Sequence, residues 1–447
     1  KGVPVLQHQD PETFADAVAD AEESGDTIYV LKDVLDESNG TVDKNVKLDL
    51  NGHTLSRGKT GETNIYENSI VINQNASLEV IGTGTLQSAS IGYPTFVSEG
   101  DLKITSGNIT SAYSIISVRG AGNAEVVGGT LTATSGNSAI GNFGSGTVTI
   151  NGGTISNNSA WTTIANQGTG SIIINDGIIT NSEETLHRAI VNTATGNVTV
   201  SGGDITGHIY SGSGTVQLNG GNITGNIFAG SASEDATTSN IILNGATVTG
   251  DIYGGNGAKS ITESNITLTS GTLDGTVYGG GNGNTTVGTV NIVLDGATII
   301  SETIYGGPNV LGTVENANID IKSGTLKNVY GGGTQGGTTL NTTVTIEAGA
   351  TITENVYGGA HKATIGDEAN NSGSTTVNIV GGTINGNVYG GSDTDPVYGT
   401  TNINIGKDAV GDATLTSGEI TILGNIFGGG HQDKSVVEDE EEPEDEE

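Results

Sequence analysis

Along most of the chain apolar and polar residues alternate with a period of two, in short runs. Ile28 and Val30 open the pattern, Val46, Leu48 and Leu50 repeat it, and the pair Asn51-Gly52 follows as a turn. Alternation sends one set of side chains to a buried face and the other to solvent, which predicts β-strands. One stretch departs from it. Phe14, Ala17, Val18 and Ala21 fall at helical spacing. Asp10 is placed to cap this helix, Pro11 to take its first position, Glu12 to sit at the positive end of its dipole, and Gly25 to end it. An amphipathic helix ahead of a strand array predicts a cap over the open end of the core.

The strand pattern is a repeat: apolar-x-apolar-x, a Gly-containing turn, then Thr or Asn and another apolar residue. LDLNGHTL from Leu48, LKITSGNI from Leu102, VTINGGTI from Val148, VQLNGGNI from Val216 and VNIVGGTI from Val377 are five of fourteen copies. Most successive starts lie 22 to 27 residues apart. That is short for a propeller blade and right for one coil of a β-helix with two or three strands. Fourteen coils stacked at ~4.8 Å predict a rod of ~65–70 Å. One step is only 18 residues, ending at Val216, and one is 33, from Val344 to Val377. The long step predicts an inserted loop near His361–Ser374, and the stretch Asn402–Ile422 also departs from the repeat.

From about residue 205 each coil gains a second signature. GHIYSG, GNIFAG, GDIYGG, GTVYGG and their successors place Tyr210, Phe228, Tyr253, Tyr278, Tyr305, Tyr330, Tyr357, Tyr389 and Phe427 at equivalent positions. The β-branched residue before each ring is expected inward, so the ring points outward and stacks on its neighbours. Two uses follow. The rings form a self-packed ladder under the Gly-rich loops, or Tyr253, Tyr278, Tyr305, Tyr330, Tyr357 and Tyr389 form an exposed binding stripe. The organisation read from the chain is thus a capping segment (1–26), a first β-helix section (27–204), a section with the aromatic motif (205–434) and a solvated acidic tail (435–447).

Composition narrows the function. The chain has 447 residues, 74 Gly, no Cys and a formal net charge of −35. Nine of the 50 acidic residues lie after Val437, leaving about −26 on the body. Only Arg57, Arg119 and Arg188 carry guanidinium groups. Clustered cations are therefore lacking, which argues against nucleic acid and anionic membranes as partners. Absent Cys removes disulfides and thiolate sites. No apolar run reaches the ~18–20 residues of a membrane span. A chain beginning at Lys1 reads as a piece processed or cut from a longer precursor.

LDLNGHTL after a short capping helix resembles the opening of pectate-lyase-like β-helices in bacterial surface proteins. The GGTI…GNVYGG repeats resemble those of large bacterial adhesins and autotransporter-type passengers, over most of residues 10–430. The resemblance implies an all-β, right-handed parallel β-helix at a bacterial cell surface. Relatives of this kind include adhesins, stalks, and polysaccharide lyases or hydrolases.

Catalytic chemistry finds little to stand on. There is no Asp-Asp pair, no GxSxG elbow, and the best His motif, Asn51-Gly52-His53, decorates a turn. Lyases of the resembled family need an Arg or Lys base beside calcium-holding carboxylates, and hydrolases need paired carboxylates. Arg119 and Arg188 are the mid-rod arginines, and Arg188 adjoins Glu183, Glu184 and His187. GGGNGNTTV from Gly279 lacks the Asp of a calcium repeat, so no cofactor is expected beyond weak surface calcium. The expectation is a secreted, non-enzymatic surface adhesin or stalk whose partner is a host or bacterial glycan or protein surface. The alternatives are a polysaccharide-active enzyme and a filament or matrix unit. For the last, an uncapped end near Gly428–Gly430 would allow end-to-end self-association.

Overall fold

The computed structural model describes residues 5–6, 13–21, 25–36, 40–57, 69–182, 188–230, 234–257, 259–406 and 418–431. The acidic tail and the Glu183, Glu184 and His187 group lie outside them. The chain is a parallel β-solenoid of about 14 turns with one short helix at its N-terminal end. Each turn contributes to two sheets. A wide sheet of 28 strands carries the repeat identified in the sequence, and a narrow sheet of 16 strands runs from Gly40–Val42 to Ile426–Phe427.

Register follows the repeat. Val148, Ile172, Val198, Val216, Ile241, Ile266, Ile292, Ile319, Val344 and Val377 stack one above the other. At the start the pairing is shifted: Val46 pairs with Leu78, and Leu48 with Val80. A shift of two keeps the same side chains inward, which is why alternation alone left it open. Ile403 also stacks on Val377, so the irregular stretch after Asn402 begins with a further rung. One apolar core runs without a break from Phe14 to Val388, through the junction at residues 204–205.

The helix, α1 (Phe14–Asp20), starts later than the capping signals suggested. Thr13 caps it, and Thr13 and Asp16 satisfy each other's backbone N–H groups in a capping box. Asp10, Pro11 and Glu12 lie outside the described residues. The Phe14 ring sits on Gly40 of the first narrow strand, where an added Cβ would be 2.8 Å from it. The buried Arg57 guanidinium stacks 5.7 Å from the Phe14 centroid. Lys44 Nζ donates to the Ala21 carbonyl at 2.9 Å, serving the helix C-terminus. The expected turn at Asn51-Gly52 is present, with both residues at positive φ.

At the other end, Thr400–Ile405, Ile420–Ile422 and Ile426–Phe427 pair only with the preceding turn among the described residues. Ile405, Ile426 and Phe427 are exposed there, whereas their partners one turn back, Ile379, Val388 and Tyr389, are buried.

Candidate functional site

The outward column of the narrow sheet is where the chain changes character. Strand register stacks Val97, Ser117, Gly141, Ala165 and Val191, and then continues through Tyr210 to Phe427. The residue before each ring, from Ile209 to Val388, is fully buried, so the ring points outward as alternation requires. All nine rings stack, with centroids 4.6 to 5.5 Å apart and interplanar angles of 5 to 16°. The spacing is that of the turns themselves, so backbone ladders set the ring separation.

Pointing outward does not leave the rings accessible. Tyr253 is 3% exposed, Tyr357 and Tyr389 4%, and Tyr330 7%. Tyr278 and Tyr305 are half-buried. Each ring face meets a neighbouring ring, which corrects the picture of an exposed stripe: Tyr253, Tyr278, Tyr305, Tyr330, Tyr357 and Tyr389 form the self-packed ladder. Arg188 closes its N-terminal end, 5.9 Å from the Tyr210 centroid. At the other end Phe427 is 41% exposed, and among the described residues no ring stacks on its outer face.

Burial pushes the phenols up, because the ionised form is the one that loses hydration. Tyr305 is raised to about 12, first by burial and then by Tyr278 and Asp393. Tyr210, Tyr253, Tyr278, Tyr330 and Tyr357 are raised for the same leading reason. Tyr253 also donates its hydroxyl to Asp251 Oδ2 at 2.8 Å.

The glycines that follow the rings have a steric role. At Gly254, Gly279, Gly306, Gly331, Gly358 and Gly390 an added Cβ would collide with the carbonyl oxygen of the equivalent glycine on the next turn. None of the six requires positive φ. Close approach of stacked backbones, rather than turn geometry, fixes this column.

Two polar arrangements escaped the sequence reading. Asn142, Asn166 and Asn192 stack inside the corner after the narrow strands, fully buried. Their amides donate to Gly146, Gly170 and Gly196 carbonyls at 2.9, 2.8 and 2.5 Å. The signal was present as Asn four residues before Gly in three successive copies. The second lies four residues after the ring on successive turns. Asn309 Nδ2 donates to Asn282 Oδ1 at 3.1 Å, and Thr334 Oγ1 to Asn309 Oδ1 at 2.9 Å. In the same column Asp393 bridges His361 and His431, its two oxygens 2.7 and 2.9 Å from their Nδ1 atoms. Each imidazole leans on a ladder ring, His361 on Tyr330 and His431 on Tyr389.

Elsewhere, the Arg119 side chain is exposed and its Nε donates to Ser117 Oγ at 3.3 Å. Neither Arg119 nor Arg188 joins an ion pair among the described residues. His53 stands 3.7 Å from Asp33 at a turn. On the wide sheet Asp320 and Glu347 come from adjacent turns, and burial, then the Glu347 carboxyl, raise Asp320 to about 7. Lys47 with Glu79 and Lys103 with Glu125 form ion pairs of 2.9 and 3.0 Å along the same face. Among the described residues no three His, Asp or Glu side chains are placed to hold a metal ion, and no helix is long and apolar enough to cross a membrane. Comparisons with protein-family models, with curated proteins and with solved structures find no match to this chain.

Proposed function

We propose that this chain is a non-enzymatic rod segment of a bacterial surface protein, an adhesin or stalk that projects or presents a binding face outside the cell. The observation that carries this reading is the continuity of self-packing. One core and one aromatic ladder commit the inward apolar side chains and the nine aligned rings to turn-on-turn contact. Such a quasi-one-dimensional array holds its ends apart at fixed distance. Among the described residues no carboxylate forms an ion pair with Arg119 or Arg188, so what is described lends a lyase or hydrolase reading no support. The test combines two readouts: the fragment is incubated with a polysaccharide panel to follow chain cleavage, and applied to glycan and matrix-protein arrays to follow retention. Retention without cleavage supports the adhesive reading. Cleavage abolished by Arg119→Ala or Arg188→Ala contradicts it.

A second reading, a filament or matrix unit, draws on the last strands, which among the described residues pair on one side only, and on the exposed Phe427. Because α1 covers the opposite end, two chains would meet C-terminal end to C-terminal end. Sedimentation velocity over a concentration series tests it: a dimer that forms with concentration supports it, and a monomer throughout rejects it.

A further inference from the structure

In the first section the corner that leads from the wide to the narrow sheet includes four fully described stacked loops, 89–95, 112–115, 134–139 and 158–163; the next loop, after Ser182, carries Glu183 and Glu184 in sequence and lies outside the described residues. The four described loops contain no Asp, Glu, Lys or Arg, in a chain of net charge −35. What they do contain is Ile91, Tyr93, Tyr113 and Trp161 among Ser, Thr, Asn and small residues. Trp161 is the chain's one tryptophan and is 57% exposed.

Its backbone is held from three sides. The carbonyl accepts from Asn157 Nδ2 at 3.2 Å and from Asn181 Nδ2 at 2.6 Å, and the N–H donates to Ser159 Oγ at 3.3 Å. Two turns back, the half-exposed Tyr113 ring lies across the intervening turn at Gly136, where an added Cβ would be 2.9 Å from the ring. Asn137 Nδ2 donates to the Tyr113 hydroxyl at 2.9 Å and fixes that ring. At ~4.8 Å per turn the two aromatic positions are ~10 Å apart along the rod. The Tyr113 ring and the Trp161 backbone are positioned before any ligand arrives, which limits the ordering entropy spent on binding.

We propose that this corner binds a neutral, extended oligosaccharide lying along the rod. The C–H faces of its sugar rings rest on Trp161 and Tyr113, and the hydroxyls and amides of Ser135, Asn137 and Asn158 meet its hydroxyl groups. Charge selects the ligand class. A polyanionic glycan is repelled by the acidic rod, and a cationic ligand finds better partners on its carboxylate-bearing faces. A protein partner needs a larger contiguous apolar patch than these mostly polar loops provide. This inference rests on the adhesive reading and adds to it the face and the ligand class.

The single tryptophan is its own reporter. The whole fragment is titrated with neutral gluco-, galacto- and N-acetylglucosamine hexasaccharides, with oligogalacturonate as the charged control, following Trp161 fluorescence. Trp161→Ala, Trp161→Phe and Tyr113→Ala are compared by calorimetry, with circular dichroism to verify folding. A saturable emission change with at least one neutral series is expected. Trp161→Ala should weaken binding roughly tenfold or more, and Trp161→Phe should keep most of it. Neutral binding unchanged in Trp161→Ala overturns the inference and leaves the adhesive reading standing. So does retention of only charged glycans or proteins. Retention of nothing on the arrays removes both.

Discussion

Replacing Tyr330 with Ala isolates what the aromatic ladder does. Its ring lies 5.0 Å from Tyr305 and 4.6 Å from Tyr357, nearly parallel to both. Truncation opens a slot one ring thick. The slot cannot close, because Val329 is paired with Ile304 on one side and Val356 on the other, and those ladders fix the turn spacing. The loss should therefore approach the full aromatic-to-alanine cost of about 3–5 kcal/mol. Two lost stacks account for about 1–3 kcal/mol of it. Tyr330→Phe keeps both stacks and should stay within about 1.5 kcal/mol of the parent, the range of a single hydrogen bond. Urea denaturation followed by circular dichroism reads the difference, with the slope checked because repeat arrays can unfold in segments. A Tyr330→Ala loss below about 0.5 kcal/mol, the size of a neutral surface change, would refute the reasoning and return the ring to a candidate contact residue.

Three further outcomes follow from named contacts. Gly331→Ala should destabilise by about 1–3 kcal/mol or more through overpacking, since the new Cβ meets the Gly358 carbonyl, whereas Gly428→Ala, with nothing within 4 Å, should be neutral in the same melt. Asp320, raised to about 7, binds a proton that the unfolded chain has released above pH ~4. Stability should thus fall as pH rises from about 4 to about 7 and level off above, and Asp320→Asn should flatten that slope in midpoints measured across the range. For the ladder phenols the same sign applies at higher pH. Tyr305 stays protonated to about 12 while an unfolded tyrosine ionises near ~10. Phenolate absorbance should therefore appear together with unfolding in an alkaline titration, and a ladder that ionises at the ordinary value while still folded would contradict the burial.

The fold was legible because a solenoid repeats one physical problem many times. Val148, Ile172, Val198 and their successors each satisfy the same alternation, and copies reinforce one another. Ring stacking was legible too, from Ile209-Tyr210 onward, because alternation and equivalent position were both visible. Burial of those rings was one of two readings the pattern allowed, and the pattern did not decide between them. Burial depends on how high the Gly-rich loops stand beside the narrow sheet, and composition does not encode loop height. The helix start moved to Thr13 because two competing caps, Asp10 and Thr13, lie three residues apart, and the reciprocal pairing with Asp16 decides between them only in three dimensions. The His361–Asp393–His431 bridge was hidden by the unequal insertions that separate its members in sequence, 32 and 38 residues apart. Trp161 had no repeat partner to draw attention to it.

Continuity of the rod is most directly measured by hydrogen exchange along the whole chain. Comparable, slow exchange is expected in every narrow-sheet strand from Ile70–Ile72 to Val388–Tyr389, through the junction near residue 204, with faster exchange at Ile426–Phe427, which among the described residues pairs on one side only. Two protected blocks separated by a fast-exchanging boundary near that junction would contradict a single self-packed rod.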